Sequence, residues 1–518
     1  MTERVGPVRW IVRGLLLLTL TFANFHDIWS PDTVPNTLFV WTLLREGDVD
    51  FDEFTALTEE QLASGQIVPL LDEHPQIQRD TYFFRPCGEA SLRAQETLVL
   101  RPVPATEFGA SPRGLGPRPP DPGERVCSIF PPGISFLALP VLAPFVLAGV
   151  SPEDGSTVVR AGHLAAALIE TIAVLLLWSV MRRFASARWA LALVLLYWLG
   201  TSVRTISSQA LWQHAGVHLA LALGLWLVLH EGVSVRRELI AGVVMGLGVT
   251  VRQTTAILAL GMARLPWPRV AVVRPLAPVA FALGVALGAL PLLAYNALAF
   301  GSPFEQGYGD KPFYLQTLEP GLRGLLISPS RGILIYEPWI VAALAAFVLA
   351  WRRPGLVALR LRGLSVAWIL LLVTYANYLE WWGGRVFGPR FLDDLAPALV
   401  VAIAWGVSQG LLARPWARVA FWAAAAWSLL LFDAAALVYD PNGWDTVPVN
   451  VNFDPSKLFS WSDPQWLNVL TSLGSADARV LAGAALSALV LALLLRLELR
   501  SDEERSRPSD GLADLIRE

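Results

Sequence analysis

The sequence predicts an all-α polytopic membrane protein, and three observations lead to this prediction. Hydrophobic residues make up 54% of the 518 residues, and only 16% are charged, where a soluble protein carries about 25%. The mean hydropathy is +0.50. Many apolar stretches approach or exceed the roughly 20 residues that a helix needs to cross a bilayer. This composition excludes a soluble protein, and we expect no nucleic-acid partner.

About twelve apolar stretches are predicted to span the membrane. When the N-terminus is placed inside, the short arginine-bearing loops between them become cytoplasmic, which is the positive-inside pattern. The first run follows three arginines and lacks a convincing cleavage site, so we expect a retained anchor. Residues 1–499 form the predicted membrane domain, and the charged tail 500–518 is predicted to be disordered. The predicted spans are 10–28, 160–180, 189–203, 214–230, 239–251, 254–263, 276–299, 333–351, 364–379, 394–412, 418–438 and 478–496.

Two stretches do not fit a simple count of spans. Residues 131–149 are long enough to cross, but counting them would place Arg182 and its neighbour outside. Their four prolines also oppose one straight helix. We therefore predict a re-entrant or interfacial element there. Residues 239–251 and 254–263 are too short for two ordinary spans and predict a broken hairpin. Its tip carries Arg252, which requires a cavity lined by protein or water.

The largest polar segment, residues 29–130, follows the first span and is predicted to be an extracytoplasmic loop. It holds Cys87 and Cys127, the two cysteines of the chain. A cysteine pair confined to one non-cytoplasmic loop suggests a disulfide. Two unrelated thiols are the alternative.

Two groups of residues raise the question of a metal. A short acidic run could hold a divalent cation, because alternate carboxylates of an extended segment share a face. A solvated acidic loop is the interpretation we favour. That run is Asp48, Asp50, Asp52 and Glu53. His214 and His218 share a helix face but lack an accompanying Glu-x-x-His, so packing or hydrogen-bonding roles are favoured. We assign no cofactor and leave a divalent metal open.

Charged residues beside the predicted spans are the candidates for chemistry. An Asp or Arg at mid-bilayer costs about 3 kcal/mol even on the mild insertion scale, so it needs solvent, a partner or a function. The planar fork of arginine matches phosphate oxygens two at a time. A cavity with one or two carboxylates and several arginines is what a lipid-phosphate substrate requires. The candidates for such a cavity are Asp27, Asp32, His214, Arg252, Arg331, Arg385 and Arg390.

Several segments resemble the GT-C superfamily of membrane glycosyltransferases. SPDTVPNTLFVWTLLREGDVDFDEF, and then IFPPGISFLALPV, are similar to its first outer loop. The closest resemblance is to the bacterial branch related to protein O-mannosyltransferases (glycosyltransferase family 39) and the lipid A aminoarabinose transferase. LWQHAGVHLALAL, ISPSRGILIYEPW and WWGGRVFGPRFLDDLAPAL resemble later segments of bacterial members. The resemblance covers most of residues 10–410. It implies a GT-C-type bundle of about 12 transmembrane helices, whose large first extracytoplasmic loop contains juxtamembrane helices.

The resemblance also implies a location, a reaction and a base. The location is the bacterial cell (inner) membrane, in which the positive-inside pattern places both termini in the cytoplasm. The reaction moves a sugar from a polyprenyl-phosphate donor to an acceptor hydroxyl on a cell-envelope glycan, lipid or protein, with inversion. The family's catalytic aspartate, just after the first helix, matches Asp32. Many relatives have Asp-Glu there, whereas this chain has Asp32-Thr33.

Under this interpretation the chain is a glycosyltransferase whose partners are the lipid-linked sugar, the acceptor and membrane lipids. Asp32 takes the acceptor's proton, and fixed cations stabilise the charge that grows on the departing phosphate. The expected cations are Arg252 with one or more of Arg331, Arg385 and Arg390. Asp27 and His214 are the further residues assigned to the cavity.

Each assignment has an alternative. Asp32 could simply cap the following helix, expected from about Pro35 to Leu44. That helix is predicted to lie at the interface with its apolar side chains in lipid. Those side chains are Leu38, Phe39, Trp41 and Leu43. The alternatives to an enzyme are a transporter or flippase of lipid-linked sugars and a non-catalytic GT-C-like protein. A transporter normally shows repeated halves and polar residues at the midplane, which this sequence lacks.

Overall fold

The computed structural model describes a mostly helical chain over residues 7–28, 30, 32–52, 84–88, 125–152, 154–230, 232–263, 276–308, 313–452 and 454–506. Five of its helices are long and apolar enough to cross a membrane. They are Gly155–Met181, Leu276–Phe300, Leu356–Ala376, Pro415–Val438 and, within the last helix, Ala478–Glu498. The predicted membrane character is supported at this level, and the count of twelve spans stays a prediction.

The helices, in chain order, are α1 Pro7–Phe22, α2 Val34–Arg45, α3 Gly133–Leu147, α4 Gly155–Met181, α5 Ala187–Leu199, α6 Gln213–Val228, α7 Val235–Val251, α8 Thr255–Met262, α9 Leu276–Phe300, α10 Leu318–Ile327, α11 Ile333–Tyr336, α12 Ile340–Arg352, α13 Leu356–Ala376, α14 Ala396–Ser408, α15 Pro415–Val438, α16 Gln465–Ser472 and α17 Ala478–Ser506. A π-helical turn covers Val203–Ser207, and 3-10 turns cover Leu315–Thr317, Asp393–Leu395, Pro455–Phe459 and Leu473–Ser475. Because α17 continues to Ser506, the first residues of the tail expected to be disordered are helical. Residues 507–518 lie outside the described part of the chain.

The first polar loop contains a two-stranded ribbon closed by a disulfide. Strands β1 (Phe84–Pro86) and β2 (Val126–Ser128) pair antiparallel. The Cys87–Cys127 disulfide joins the residue after β1 to the centre of β2, with 5.2 Å between the Cα atoms. The predicted disulfide is confirmed. Glu53 and most of the rest of this loop lie outside the described residues.

Helix α2 forms where the sequence predicts a helix, but its apolar side chains do not face lipid. Leu38, Phe39 and Trp41 are 3%, 2% and 1% exposed. Phe39 packs edge-on against Phe136 and Tyr295, with ring centroids 5.6 and 6.1 Å away. The prediction of a lipid-anchored helix is therefore wrong for these three side chains. Residues from α3, α4 and the first loop cover the apolar surface that lipid was expected to cover.

The stretch 131–149 contains one helix, α3, which runs through both Pro140 and Pro144. Its 15 residues rise about 22 Å, which is short of a hydrocarbon core of about 30 Å. Its first residue, Gly133, is seated on the backbone of α7, where a Cβ would lie 2.5 Å from the carbonyl carbon of Thr250. This contact fixes α3 beside the end of α7. The re-entrant or interfacial assignment stays a prediction.

Helices α7 and α9 pack at backbone distance through glycines spaced four apart. A Cβ on Gly246 would lie 2.3 Å from the carbonyl oxygen of Val285, and one on Gly288 would lie 2.2 Å from that of Val243. Gly242 extends the same contact by one turn. Small residues at this spacing allow close helix–helix approach in membranes. The contact holds α7 so that its last residues reach the polar centre of the molecule.

Two buried arginines join the chain ends to the bundle. Arg13 of α1 donates from Nε to the Glu498 carboxylate of α17 at 2.8 Å. Its guanidinium carbon lies 4.5 Å from the ring centroid of Trp178 in α4. Arg204 donates to Asp433 of α15 at 3.1 Å and to Ser487 of α17 at 3.0 Å. Buried charges of this kind are stable only when paired, so these contacts hold α1, α4, α15 and α17 together.

Candidate functional site

The break between α7 and α8 brings Arg252 into a group of polar side chains. Arg252 follows the last residue of α7 with an extended backbone, φ −155° and ψ 124°. Its Nε donates to the hydroxyl of Tyr375, at the end of α13, over 3.1 Å. The hydroxyl of Thr254 lies 3.2 Å from the same oxygen. The predicted helix break at Arg252 is present, and its tip is lined by protein.

His214 and Asp394 complete the surroundings of Arg252. His214 lies in the first turn of α6, and Asp394 lies in the 3-10 turn before α14. The distance from His214 Nδ1 to Asp394 Oδ1 is 2.6 Å, and that from Arg252 Nη1 to His214 Nε2 is 3.1 Å. A guanidinium can only donate, so Nε2 accepts and the ring proton is on Nδ1. The geometry therefore describes a neutral imidazole that links a carboxylate to an arginine.

Asp32 forms an ion pair with Arg390. Arg390 Nη1 lies 3.1 Å from Asp32 Oδ2, and the side chains are 13% and 17% exposed. The amide of Asn36 donates to the backbone carbonyl of Asp32 and to that of Leu211, both at 3.0 Å. The start of α2 is thereby tied to the chain just before α6. No side-chain cap bond from Thr33 begins α2, and Asp32 points to Arg390.

The ring of Phe391 joins the two arginine groups. The guanidinium carbon of Arg390 lies 5.3 Å from its centroid, and that of Arg252 lies 5.4 Å away. Tyr375 stacks on the same ring, with 4.4 Å between centroids and 7° between planes. Cations at this distance from an aromatic ring are attracted by its quadrupole. Arg252, Arg390 and Asp32 therefore belong to one site.

The hydroxyl of Tyr308, in the segment that follows α9, interacts electrostatically with the same charged residues. Burial raises the pKa of its hydroxyl. Arg252 and Arg390 act against this shift, whereas Asp32 adds to it. The Tyr308 hydroxyl is therefore within electrostatic range of all three charges.

A small apolar groove, with room for about one water molecule, begins beside Asp32. Thr33, the next residue, is part of its lining, together with Val34 and Leu38 of α2. The opposite wall comes from Val158 of α4 and from Leu211. The charged site and the apolar groove therefore meet at the start of α2.

Asp27 lies next to Ile28, another residue of this groove. Arg160 Nε donates to its carboxylate at 2.9 Å, and His163 Nδ1 lies 3.7 Å away, which is too long for a hydrogen bond. His163 and Arg160 hold the pKa of the Asp27 carboxyl at about 2. Asp27 is therefore an ionised carboxylate with its own arginine, separate from the pair at Asp32.

Arg331 and Arg385 belong to a second network, around Asp445. Arg331 is fully buried and donates to Asp445 and Gln465, each at 2.7 Å. Its other contacts are the carbonyl oxygens of Ser330, Trp382 and Gly384. Arg385 donates to Asn442 at 3.1 Å. In this arrangement the Arg331 guanidinium serves the packing of the polar loops.

The two groups considered for metal have different structures. Asp48, Asp50 and Asp52 place carboxylate oxygens within 4.8 Å of one another, and Asp50 accepts from Arg125 Nε at 2.9 Å. That guanidinium already supplies positive charge to the cluster. His218 Nδ1 contacts Glu170, whereas His214 Nδ1 contacts Asp394. The two histidines are thus held by separate carboxylates, as the hydrogen-bonding interpretation expects.

The sequence did not point to Tyr308, Tyr375, Phe391 or Asn36 as parts of the site. Phe391 could have been suspected, because it stands between Arg390 and the acidic pair in GPRFLDDLAPAL. Tyr375 carries no local signal, since it is one aromatic residue in an apolar helix. Neither a protein-family model, nor a curated protein, nor a solved structure matches this chain.

Proposed function

We propose that this protein is an inverting membrane glycosyltransferase. It would move a sugar from a polyprenyl-phosphate donor to an acceptor hydroxyl at the extracytoplasmic face. The observation that carries the proposal is the position of the Asp32 carboxylate, 3.1 Å from Arg390, with Arg252 on the same aromatic ring. One base beside two cations is the minimum that this reaction needs.

Asp32 is the proposed base, and its ion pair with Arg390 would control how basic the carboxylate is. Beside Arg390 the carboxylate is stabilised and weakly basic. A lipid phosphate offers Arg390 a second acceptor of matching geometry. When the guanidinium turns to the phosphate, Asp32 loses this contact and becomes the stronger base. Donor binding would therefore activate the base before an acceptor is attacked.

The transfer step then balances without an added acid. The acceptor oxygen gives its proton to Asp32 and bonds to the anomeric carbon. The bond from that carbon to the phosphate oxygen breaks, and its electron pair leaves with the lipid phosphate. Arg390 and Arg252 stabilise the negative charge that develops there. Attack opposite the leaving group inverts the anomeric centre.

The apolar groove at Thr33 has aliphatic walls, from Val34, Leu38 and Val158, that would suit the lipid part of such a donor. The groove has room for about one water molecule, so these walls would have to separate before a prenyl unit entered. Burial of each CH₂ group would then contribute about 0.8 kcal/mol.

The remaining candidates receive supporting roles. His214 and Asp394 hold the Arg252 guanidinium in place. Asp27 lies at the groove, where its pair with Arg160 shapes the rim. For Arg331 and Arg385 we propose a structural role in the outer loops, because the N–H groups of Arg331 are occupied by Asp445, Gln465 and backbone carbonyls.

The test uses purified protein in vesicles with a panel of synthetic prenyl-phosphate hexoses and pentoses and a cell-envelope fraction as acceptor. Release of prenyl phosphate is followed by chromatography. Asp32→Asn should lower release by about 10²–10⁴-fold, while the exposed Asp463→Asn serves as a matched control. Release by Asp32→Asn at the wild-type rate would remove the base assignment. Movement of labelled donor between leaflets without transfer would identify a flippase and overturn the proposal.

A further inference from the structure

A second group of buried acids lies beside the site but takes no part in the proposed reaction. Glu337 stands between α11 and α12 and is 0% exposed, and Asp393 precedes Asp394 and is 1% exposed. The two carboxyl groups face each other at hydrogen-bonding range. Among the described residues, no N–H or O–H group donates to either Glu337 oxygen or to Asp393 Oδ1.

The other Asp393 oxygen is satisfied by the backbone. The amide of Ser202 donates to Asp393 Oδ2 at 2.6 Å. The main-chain carbonyl of Asp393 accepts from His218 Nε2 at 3.0 Å. One oxygen of Asp393 and its backbone are therefore held in place, and the remaining oxygen is left to Glu337.

The cationic groups near Glu337 and Asp393 are paired with other acids. His218 Nε2 carries a proton, because it faces a carbonyl, and Nδ1 lies 2.5 Å from Glu170 Oε1. Tyr197 donates to the other Glu170 oxygen at 3.2 Å. With one further proton between them, His218 and Glu170 are neutral together. Arg252 has Asp394, so among the residues that the structure describes no cation is left to offset two negative charges on Glu337 and Asp393.

Two adjacent carboxylates cannot both stay ionised in such a place. An unpaired charge out of water costs several kcal/mol even after relaxation, and like charges that share a site raise one pKa strongly. A proton on one acid removes the charge and makes the missing O–H···O hydrogen bond.

We propose that Glu337 and Asp393 form a proton-binding site that holds one shared proton at neutral pH. The neutral pair joins the break between α11 and α12 to the 3-10 turn Asp393–Leu395. That turn also carries Asp394, so the shared proton positions the carboxylate that orients Arg252. Glu337 and Asp393 are positioning residues.

The first measurement is infrared spectroscopy of the purified wild-type protein at about pH 8, above the ordinary range of a carboxylic acid. A protonated carboxyl C=O band that shifts in D₂O is expected. The band should be missing in Glu337→Gln and retained in Glu319→Gln, a control whose side chain is 76% exposed. Absence of the band from the wild type would overturn the proposal.

The second measurement is the pH dependence of thermal unfolding in detergent. The folded protein keeps a proton that the unfolded chain releases, so the wild-type Tm should fall between about pH 5 and about pH 8. Glu337→Gln mimics the protonated acid and should flatten this slope at a near-native Tm, whereas Glu337→Ala should lower the Tm. An equal decrease in Tm in Glu337→Gln and Glu337→Ala would contradict the shared proton.

A third variant covers the case in which Glu337→Gln does not fold. In Asp393→Asn the amide can accept from Ser202 and donate to Glu337, so folding, loss of the band and a flattened slope are expected. Added NaCl separates a proton from a metal cation. A rise in Tm specific to Na⁺ against choline, with no protonated band, would show that a cation occupies the pair and would refute the proposal.

Discussion

Arg390 donates to Asp32 across 358 positions of sequence, and this ion pair brings the start of α2 to the loop before α14. The pair is mostly buried, so the cost of desolvating both charges offsets their attraction and its net contribution to stability is small. The pair is important to the proposed function because Asp32 and Arg390 lie where the groove beside Thr33 meets Phe391. The pair links the proposed base with the proposed phosphate ligand.

Arg390→Lys should weaken the binding of a short-chain prenyl phosphate about tenfold, since lysine keeps the charge but loses the bidentate fork. Titration calorimetry in detergent measures this affinity. Arg323→Lys, at a half-exposed arginine paired with Glu319, is the control. An unchanged affinity in Arg390→Lys would remove Arg390 from the phosphate site.

Arg252→Met should destabilise the protein by about 3–5 kcal/mol, because it leaves the buried Asp394 carboxylate without its cation. The added substitution Asp394→Asn removes the stranded charge, so the double variant should recover part of the loss. Denaturant unfolding in detergent followed by tryptophan fluorescence measures both. If the single and double variants lose stability to the same extent, Arg252 does not act through Asp394.

The sequence predicts which segments are apolar and which residues are charged better than it predicts which side chains contact one another. Composition identifies a membrane bundle, and the isolation of Cys87 and Cys127 in one loop predicts their disulfide. Helical periodicity shows which face is apolar, but not whether lipid or protein covers it, and for this reason Trp41 was assigned to lipid. Arg331 and Arg390 both stand in Gly/Pro-containing loops beside apolar helices. Only the fold shows that one is enclosed by Asp445 and the other meets Asp32.

Gly246→Ala should separate α7 from α9, since the new Cβ would meet the Val285 carbonyl oxygen at 2.3 Å. Backbone atoms cannot move aside as a flexible side chain can, so we expect a cost of about 3 kcal/mol, at the upper end for overpacking. Gly474→Ala, where nothing lies within 4 Å, is the control. The measurement is the Tm of both variants in detergent, and equal Tm values would contradict close packing at Gly246.

Asp27 should contribute to stability only above acidic pH. Its folded pKa of about 2 lies below the ordinary 3.8, so the ionised carboxyl stabilises the folded protein above about pH 4. This contribution is lost as the pH falls toward about 2. The Tm difference between wild type and Asp27→Asn should therefore shrink over that range. It should stay small at neutral pH, because Arg160 is 69% exposed. A difference independent of pH would exclude this ion pair as its source.

Loss of the Cys87–Cys127 disulfide should destabilise the first polar loop. The bond joins cysteines 40 positions apart, and closing a loop of that length contributes about 4 kcal/mol on the chain-entropy model. The affected part includes β2, whose Val126 accepts from the backbone of Phe51 at 2.8 Å, so the effect should reach the segment that follows α2. Limited proteolysis of the double variant Cys87→Ser/Cys127→Ser should cut this loop faster than in the wild type. Reducing agent should bring the wild type to the same rate and leave the variant unchanged. A variant as resistant as the oxidised wild type would show that the ribbon is held by its packing alone.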